Sequence, residues 1–213
     1  MKIYASYGAP PFLKGMVRDI RPIWALEEIG ADYEIHWINA GEGEQRSDTY
    51  KRIHPFGKIP AMEDDGLTLF ESGAILEYIA NKYDALGGPT SAPRWPHVVQ
   101  WCYAALDTMA PPLFDSFVWQ NFRKDHPVCA EVMEITRTNA TARLDVLDEV
   151  LVGKDFLVGG EMTIADVLMG TALRNGLFPD ILGEHGNVRR YVEGLMARAA
   201  FKCAFDLNSK GPA

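Results

Sequence analysis

The chain has 213 residues, 47% of them apolar and 23% charged, with a formal net charge of −8. That length supports a sizeable core and one or two domains. An acidic chain without a basic run of five residues argues against nucleic acid as a partner, and no apolar stretch reaches the roughly 20 residues of a membrane span. The three cysteines, Cys102, Cys129 and Cys203, are odd in number and far apart. They argue against a disulfide framework and against a zinc site, and they read as buried apolar filler. The N-terminal MKIYASYG lacks the long apolar core of a signal peptide; with the cysteine usage, this points to a reducing cytoplasm.

In chain order, Lys2 to Ser6 reads as a first strand. The loop GAPPFLKGMVRD comes next, and Pro22, tolerated only in a first helical turn, puts the helix start near Asp19 or Ile20. Ile23, Trp24, Leu26 and Ile29 form the apolar stripe of that helix, and Gly30 stops it. Tyr33 to Ile38 is the next strand and Ser47 to Ile53 a short helix. Ile59 to Met62 and Leu67 to Phe70 are strand runs joined by the turn Asp64-Asp65-Gly66, and a helix opens at Ser72 with Ile75, Leu76 and Ile79 on its apolar face. A βαβ unit followed by a hairpin and a helix is a thioredoxin-like order. ALGGPTSAPR, residues 85–94, has no periodicity and reads as a linker.

Beyond it the pattern is helical throughout. Pro96 opens a helix through Leu106, Pro111-Pro112 must kink or interrupt the next helical stretch, and Val128 to Val152 carries a long apolar stripe. Thr163 to Leu173 is another helix, and Asn187 caps a last one running to about Arg198. Thr163 and Asp166 have the spacing of a capping box, with Met162 and Val167 as its hydrophobic staple. The expected organisation is an α/β domain over 1–84, a linker over 85–94 and an all-α domain over 95–213.

Two features of the Ile53–Tyr83 stretch point to a binding site. Pro60 at the start of a strand leaves a neighbouring backbone edge unpaired. Glu71-Ser72 sits where a helix begins, and helix N-termini attract carboxylates through free N–H groups and the dipole. An unpaired edge facing a helix N-terminus can hold a small anionic peptide. FGKIPAMEDDGLTLFESGAILEYIA resembles the glutathione-site segment of the glutathione transferase family, and FLVGGEMTIADVLMG resembles the capping segment of that family's helical domain. The resemblance covers nearly the whole chain and is to the bacterial-type members, with no class assigned. It implies a thioredoxin-like domain followed by an all-α domain, a cis Pro60, and Ile59 offering its backbone to the cysteinyl part of glutathione. Glu71 and Ser72 would take the γ-glutamyl amine and carboxylate, and Lys58 would lie near the glycine end or the γ-glutamyl group. It also implies a homodimer, glutathione as co-substrate without a metal, and a role in detoxification.

The catalytic loop departs from the family pattern. Between Gly8 and Arg46 there is no Ser, Thr or Cys, and the Ser-type and Cys-type positions are taken by residues such as Gly15, Met16 and Val17. Three candidates remain for stabilising a thiolate. Tyr7 is either a Tyr-type catalytic hydroxyl or a half-buried strand-end aromatic. Ser6 is a second hydroxyl or an ordinary strand-end residue. Arg18 is a nearby charge or a solvated surface side chain, and loop backbone N–H groups offer a further route. Asp107 either reaches the glutathione amine or is solvated. An electrophile pocket is expected near Phe12 and the helix after Pro96, where Trp101, Tyr103 and Phe114 add apolar surface. The expected reaction is thiol addition to a small apolar electrophile. The alternatives are isomerisation, dehalogenation or peroxide reduction on the same scaffold, and a non-catalytic glutathione-binding regulator. Disulfide reduction is disfavoured, since no cysteine sits near the first helix.

Overall fold

The computed structural model describes residues 1–7, 13, 16–177, 182–183 and 185–212. The chain forms two compact units, one of residues 1–91 and 197–213, the other of residues 92–196. Among the described residues no helix is long and apolar enough to cross a membrane.

The first unit runs β1 (Lys2–Tyr7), α1 (Ile20–Ile29), β2 (Glu34–Asn39), a 3-10 turn (Glu44–Arg46), α2 (Asp48–Lys51), β3 (Ala61–Asp64), β4 (Leu67–Phe70) and α3 (Ser72–Tyr83). The sheet order is β2-β1-β3-β4. β1 and β2 pair in parallel, which requires a crossover, and α1 supplies it. β3 runs antiparallel to both β1 and β4. The β3–β4 hairpin turns on Asp65 and Gly66 alone, with φ of 50° and 82°. Positive φ at both positions is what a two-residue turn between right-twisted strands needs, and glycine adopts it freely. β3 starts at Ala61, two residues later than the apolar run, because Pro60 has no N–H to extend the ladder.

One face of the sheet packs Ile3 and Ala5 in a core with Ile23, Trp24 and Leu26 of α1 and Ile75, Leu76 and Ile79 of α3, all completely buried. The other face packs Tyr4, Ile38, Tyr50 and Ala61, flanked by Ile53 and Ile59. The alternation along β1 separates these two sets.

The second unit contains α4 (Trp95–Tyr103), a π-helical segment (Ala104–Met109), α5 (Ala110–Phe122), α6 (Cys129–Val150), α7 (Ile164–Leu177) and α8 (Gly186–Ala197). Pro111 and Pro112 cannot donate to carbonyls one turn back, and the helix accommodates them by widening rather than by breaking. The Ala110 N–H reaches back five residues to the Ala105 carbonyl. α7 forms the centre of the unit, with Ile164, Ala165, Val167, Leu168, Met169, Ala172 and Leu173 fully buried. α8 begins at Gly186, and its free N–H groups are capped by tertiary contact. Asp148 of α6 accepts from the N–H groups of Asn187 and Val188 at 2.8 and 2.9 Å. Asn187, expected as the cap, instead donates its side-chain amide to Asp148.

A further helix, α9 (Ala199–Lys210), comes after α8, and it belongs to the first unit. The helical domain expected over 95–213 therefore loses its last segment. Phe201 packs edge-on against Trp24 with ring centroids 5.0 Å apart, and Arg198 Nε donates to Glu28 Oε1 at 2.9 Å.

Candidate functional site

The candidate binding segment lies between α2 and α3. The β-ladders end at Ala61, which pairs with Tyr4 and Phe70, so Ile59 lies beyond the paired part of β3. The Ile59–Pro60 peptide is cis. The Tyr50 hydroxyl donates to the Lys58 carbonyl at 2.9 Å and ties this segment to α2, leaving the Lys58 side chain exposed. Gly57 turns the chain at φ 57°, and a Cβ there would lie 2.6 Å from the Gln45 carbonyl oxygen. Only glycine fits that approach.

At the other end, Glu71 precedes α3 with φ 69° and ψ 119°, a conformation a side chain adopts at a cost of roughly 1–3 kcal/mol and one that concentrates at binding sites. Its carbonyl accepts from the Ile75 N–H at 3.0 Å, so the backbone caps the helix while the carboxylate stays exposed. Ser72 is buried in the first helical turn, and Arg21 Nη1 donates to its hydroxyl oxygen at 2.9 Å. Arg21 is only 4% exposed. Burial, and Arg18 beside it, bring the guanidinium down to about 9 against the pull of Glu71. It therefore stays mostly cationic near neutrality. Glu71, Ser72, Arg18 and Arg21 thus form one electrostatic group.

The strand-end candidates separate. The N–H and hydroxyl of Ser6 donate to the same oxygen of Asp19, at 2.6 and 2.8 Å, and Asn208 Nδ2 donates to the other at 2.9 Å. Asp19 is fully buried; burial pushes its carboxyl above the usual range, while the hydrogen bonds from Ser6 and Asn208 pull it down. The Ser6 hydroxyl donates to that carboxylate rather than towards solvent. Tyr7, on the opposite face of β1, is half-buried beside Gly211: a Cβ on that glycine would lie 3.2 Å from Tyr7 Cβ. Arg18 is exposed, at the start of the turn entering α1. Phe12, Gly15 and the loop positions 8–11 lie outside the described residues. Asp107 is exposed on the π-helical segment of the second unit. Among the described residues no three His, Cys, Asp or Glu side chains are grouped to hold a metal ion.

Sequence reasoning did not single out Arg21 or the carboxylate of Asp19. Arg21 had a signal: a charged residue inside the apolar run IRPIW, on a helix whose first seven residues are all buried. A buried arginine requires partners, so its place in that run announces a polar network.

Residues 13–81 match the family described as the glutathione S-transferase N-terminal domain, and residues 107–199 match its C-terminal domain. The chain is similar to the disulfide-bond oxidoreductase YghU of Escherichia coli, 30% identical over 92% of this chain and 71% of that protein. It is 32% identical to glutathione S-transferase F10 of Arabidopsis thaliana, over 69% of this chain and 71% of that one. Its fold matches a glutathione transferase from Burkholderia graminis solved with two glutathione molecules bound per subunit, with a TM-score of 0.86 and 25% identity over 99% of this chain and 89% of that chain. Two family matches covering most of the sequence, on a thioredoxin-like unit joined to a helical one, place the chain in the glutathione S-transferase family.

Proposed function

We propose that this chain binds glutathione at the α3 N-terminus and activates its thiol for attack on a small apolar electrophile. The observation that carries the reading is the buried Arg21 bonded to Ser72, next to an exposed Glu71 held at positive φ. Glu71 takes the γ-glutamyl ammonium. Ser72 and the first N–H groups of α3 take the γ-glutamyl carboxylate, with Arg21 polarising the serine hydroxyl from behind. The Ile59 backbone takes the cysteinyl amide, and Lys58 the glycine carboxylate.

Activation means holding the sulfur as thiolate. Lowering a thiol from about 8.5 by two units requires about 2.7 kcal/mol, and one hydrogen bond to a charged group supplies about 1.5–3 kcal/mol. One donor is therefore sufficient. With the Ser6 hydroxyl turned to Asp19, the side-chain candidates are the Tyr7 hydroxyl and the Arg18 charge. The thiolate then forms a C–S bond to the electrophile, and the displaced group leaves with the bonding electron pair.

The ultraviolet difference spectrum of bound glutathione against pH tests this. A thiolate band appearing below neutrality in the wild type, and moving upward in Tyr7→Phe, assigns the role to Tyr7. Movement in Arg18→Met instead assigns it to Arg18. Binding without a thiolate band near neutrality overturns the transferase reading in favour of a non-catalytic glutathione-binding protein.

A second reading is disulfide reduction, favoured by the resemblance to a disulfide-bond oxidoreductase over nearly the whole chain. The exposed Cys203 of α9 donates to Glu27 near the C-terminal end of α1, and that bond, burial and the charge of Glu27 push its thiol up, which makes it a poor nucleophile; glutathione can supply both thiols. Two glutathiones reduce one disulfide to two thiols and leave as glutathione disulfide, so electrons balance without a redox residue. Turnover of a small organic disulfide without conjugation of an aryl halide selects this reading.

A further inference from the structure

Among the described residues the Tyr7 hydroxyl has no hydrogen-bond partner. The side chain is half-buried at the end of β1, so packing on its stem decides where the hydroxyl points. That stem meets the residue that closes α9. A Cβ on Gly211 would lie 3.2 Å from Tyr7 Cβ and 4.0 Å from Tyr7 Cγ. Ordinary carbon–carbon contacts are about 3.5–4.0 Å, so bare backbone at position 211 leaves room for Tyr7, and any side chain there would press on it.

The place of Gly211 is set by α9 itself. Its N–H donates to the Leu207 carbonyl at 3.2 Å, and its φ of 69° and ψ of −162° fall in a region essentially restricted to glycine. α9 is anchored in turn: Asn208 donates to the buried Asp19 at 2.9 Å, and Phe201 packs edge-on against Trp24. The contact falls on the Cβ of Tyr7, the pivot of its first side-chain torsion. A small shift there grows along the ring and is largest at the hydroxyl.

We propose that Gly211 is a positioning residue: by closing α9 with bare backbone against the stem of Tyr7, it fixes the rotamer that aims the Tyr7 hydroxyl at the sulfur of bound glutathione. The proposal rests on the glutathione reading of this site and on its Tyr7 branch. α9 supplies no group to the ligand, yet it sets the geometry of the thiolate donor. A methyl group at position 211 either pushes the stem aside or drives the segment back and frees the ring, and in both cases the aim is lost. A misplacement of about 1 Å can cost about a hundredfold in rate. Glu71, Ser72, Ile59 and Lys58 are untouched, so binding is retained.

The test follows the thiolate band of bound glutathione against pH in the wild type, Gly211→Ala, Tyr7→Phe and the double variant. Binding is measured separately with S-methylglutathione, whose sulfur does not titrate. Gly211→Ala is expected to move the band up by about one pH unit or more, a tenfold loss of thiolate below its titration. Its affinity for S-methylglutathione stays at the wild-type value. In the Tyr7→Phe background the same substitution moves nothing further. A purely structural role would instead lower S-methylglutathione affinity, or act equally with and without the Tyr7 hydroxyl, and either result overturns the proposal. So does an unmoved band in Gly211→Ala. In the wild type, NMR cross-peaks between the Gly211 α-protons and the Tyr7 β-protons are expected, and their absence overturns the proposal without recourse to a variant. Failure of S-methylglutathione to bind the wild type overturns the glutathione reading itself, and an unmoved band in Tyr7→Phe overturns its Tyr7 branch and the proposal with it. A band that moves in Tyr7→Phe but not in Gly211→Ala overturns only the role of Gly211.

Discussion

At the scale of single residues, the place of Glu71 and Ser72 at a helix start was legible, and so was the charge of Arg21 inside the apolar run IRPIW, but not the partner Arg21 meets. The pair Glu-Ser after an apolar strand is a local pattern, readable because the helix N-terminus it belongs to is itself local. The bond from Arg21 to Ser72 spans 51 positions, and nothing in the neighbourhood of either residue names the other. Ser6 and Tyr7 are both strand-end hydroxyls in the sequence, Ser6 the more ordinary of the two, and the structure gives Ser6 a buried partner in Asp19 that its own neighbourhood does not name. If Arg21 polarises Ser72 towards a bound carboxylate, replacing it with methionine keeps the buried volume and removes the charge. We expect Arg21→Met to weaken S-methylglutathione binding about tenfold or more, the lower end of what one charge-assisted hydrogen bond contributes. Titration calorimetry on a variant shown by circular dichroism to be folded checks this, and unchanged affinity would remove Arg21 from the site.

At the scale of elements, the boundaries read from the sequence held where the deciding chemistry was local. α1 ends at Gly30 with φ 66°, and β4 spans Leu67–Phe70 as its apolar run indicates. They shifted where a distant group decides: α8 is capped by Asp148, 39 residues before Asn187. The capping box at the start of α7 is a mixed case. Its local half was readable from Thr163 and Asp166, and Asp166 Oδ2 accepts from the N–H and hydroxyl of Thr163 at 2.8 and 2.9 Å. Its other oxygen accepts from the Leu157 N–H at 2.9 Å and the Tyr191 hydroxyl at 2.8 Å, contacts the spacing does not reveal. Four donors on one fully buried carboxylate make this more than a helix cap, which alone contributes about 1 kcal/mol. Asp166→Ala strands at least three of them in the interior, and we expect a loss of about 3 kcal/mol or more. Chemical denaturation measures it; a loss below that of a simple cap would mean the cavity admits water to those donors.

The whole molecule is where the sequence was least informative. The pattern placed everything after residue 94 in one helical domain, because helical periodicity says which face is apolar but not which core that face enters. α9 returns to the first unit, and Asn208 meets Asp19 across 189 positions. One buried carboxylate thereby joins three segments: the end of β1 through Ser6, the entrance of α1 through Asp19, and the last helix through Asn208. That arrangement makes a specific energetic claim. Ser6 and Asn208 donate to different oxygens of the same carboxylate, so each becomes more valuable when the other is gone, since an Asp19 anion with fewer donors is more costly to keep buried. In a double-mutant cycle, Ser6→Ala and Asn208→Ala should each destabilise by about 1–3 kcal/mol, with a coupling of at least about 0.5 kcal/mol in the sense that the pair loses more than the sum. Repeating the cycle on Asp19→Asn, which removes the charge the two residues share, should bring the coupling close to zero. Strict additivity in the native Asp19 background would mean that Ser6 and Asn208 act on Asp19 independently and that the carboxylate does not couple the ends of the first unit.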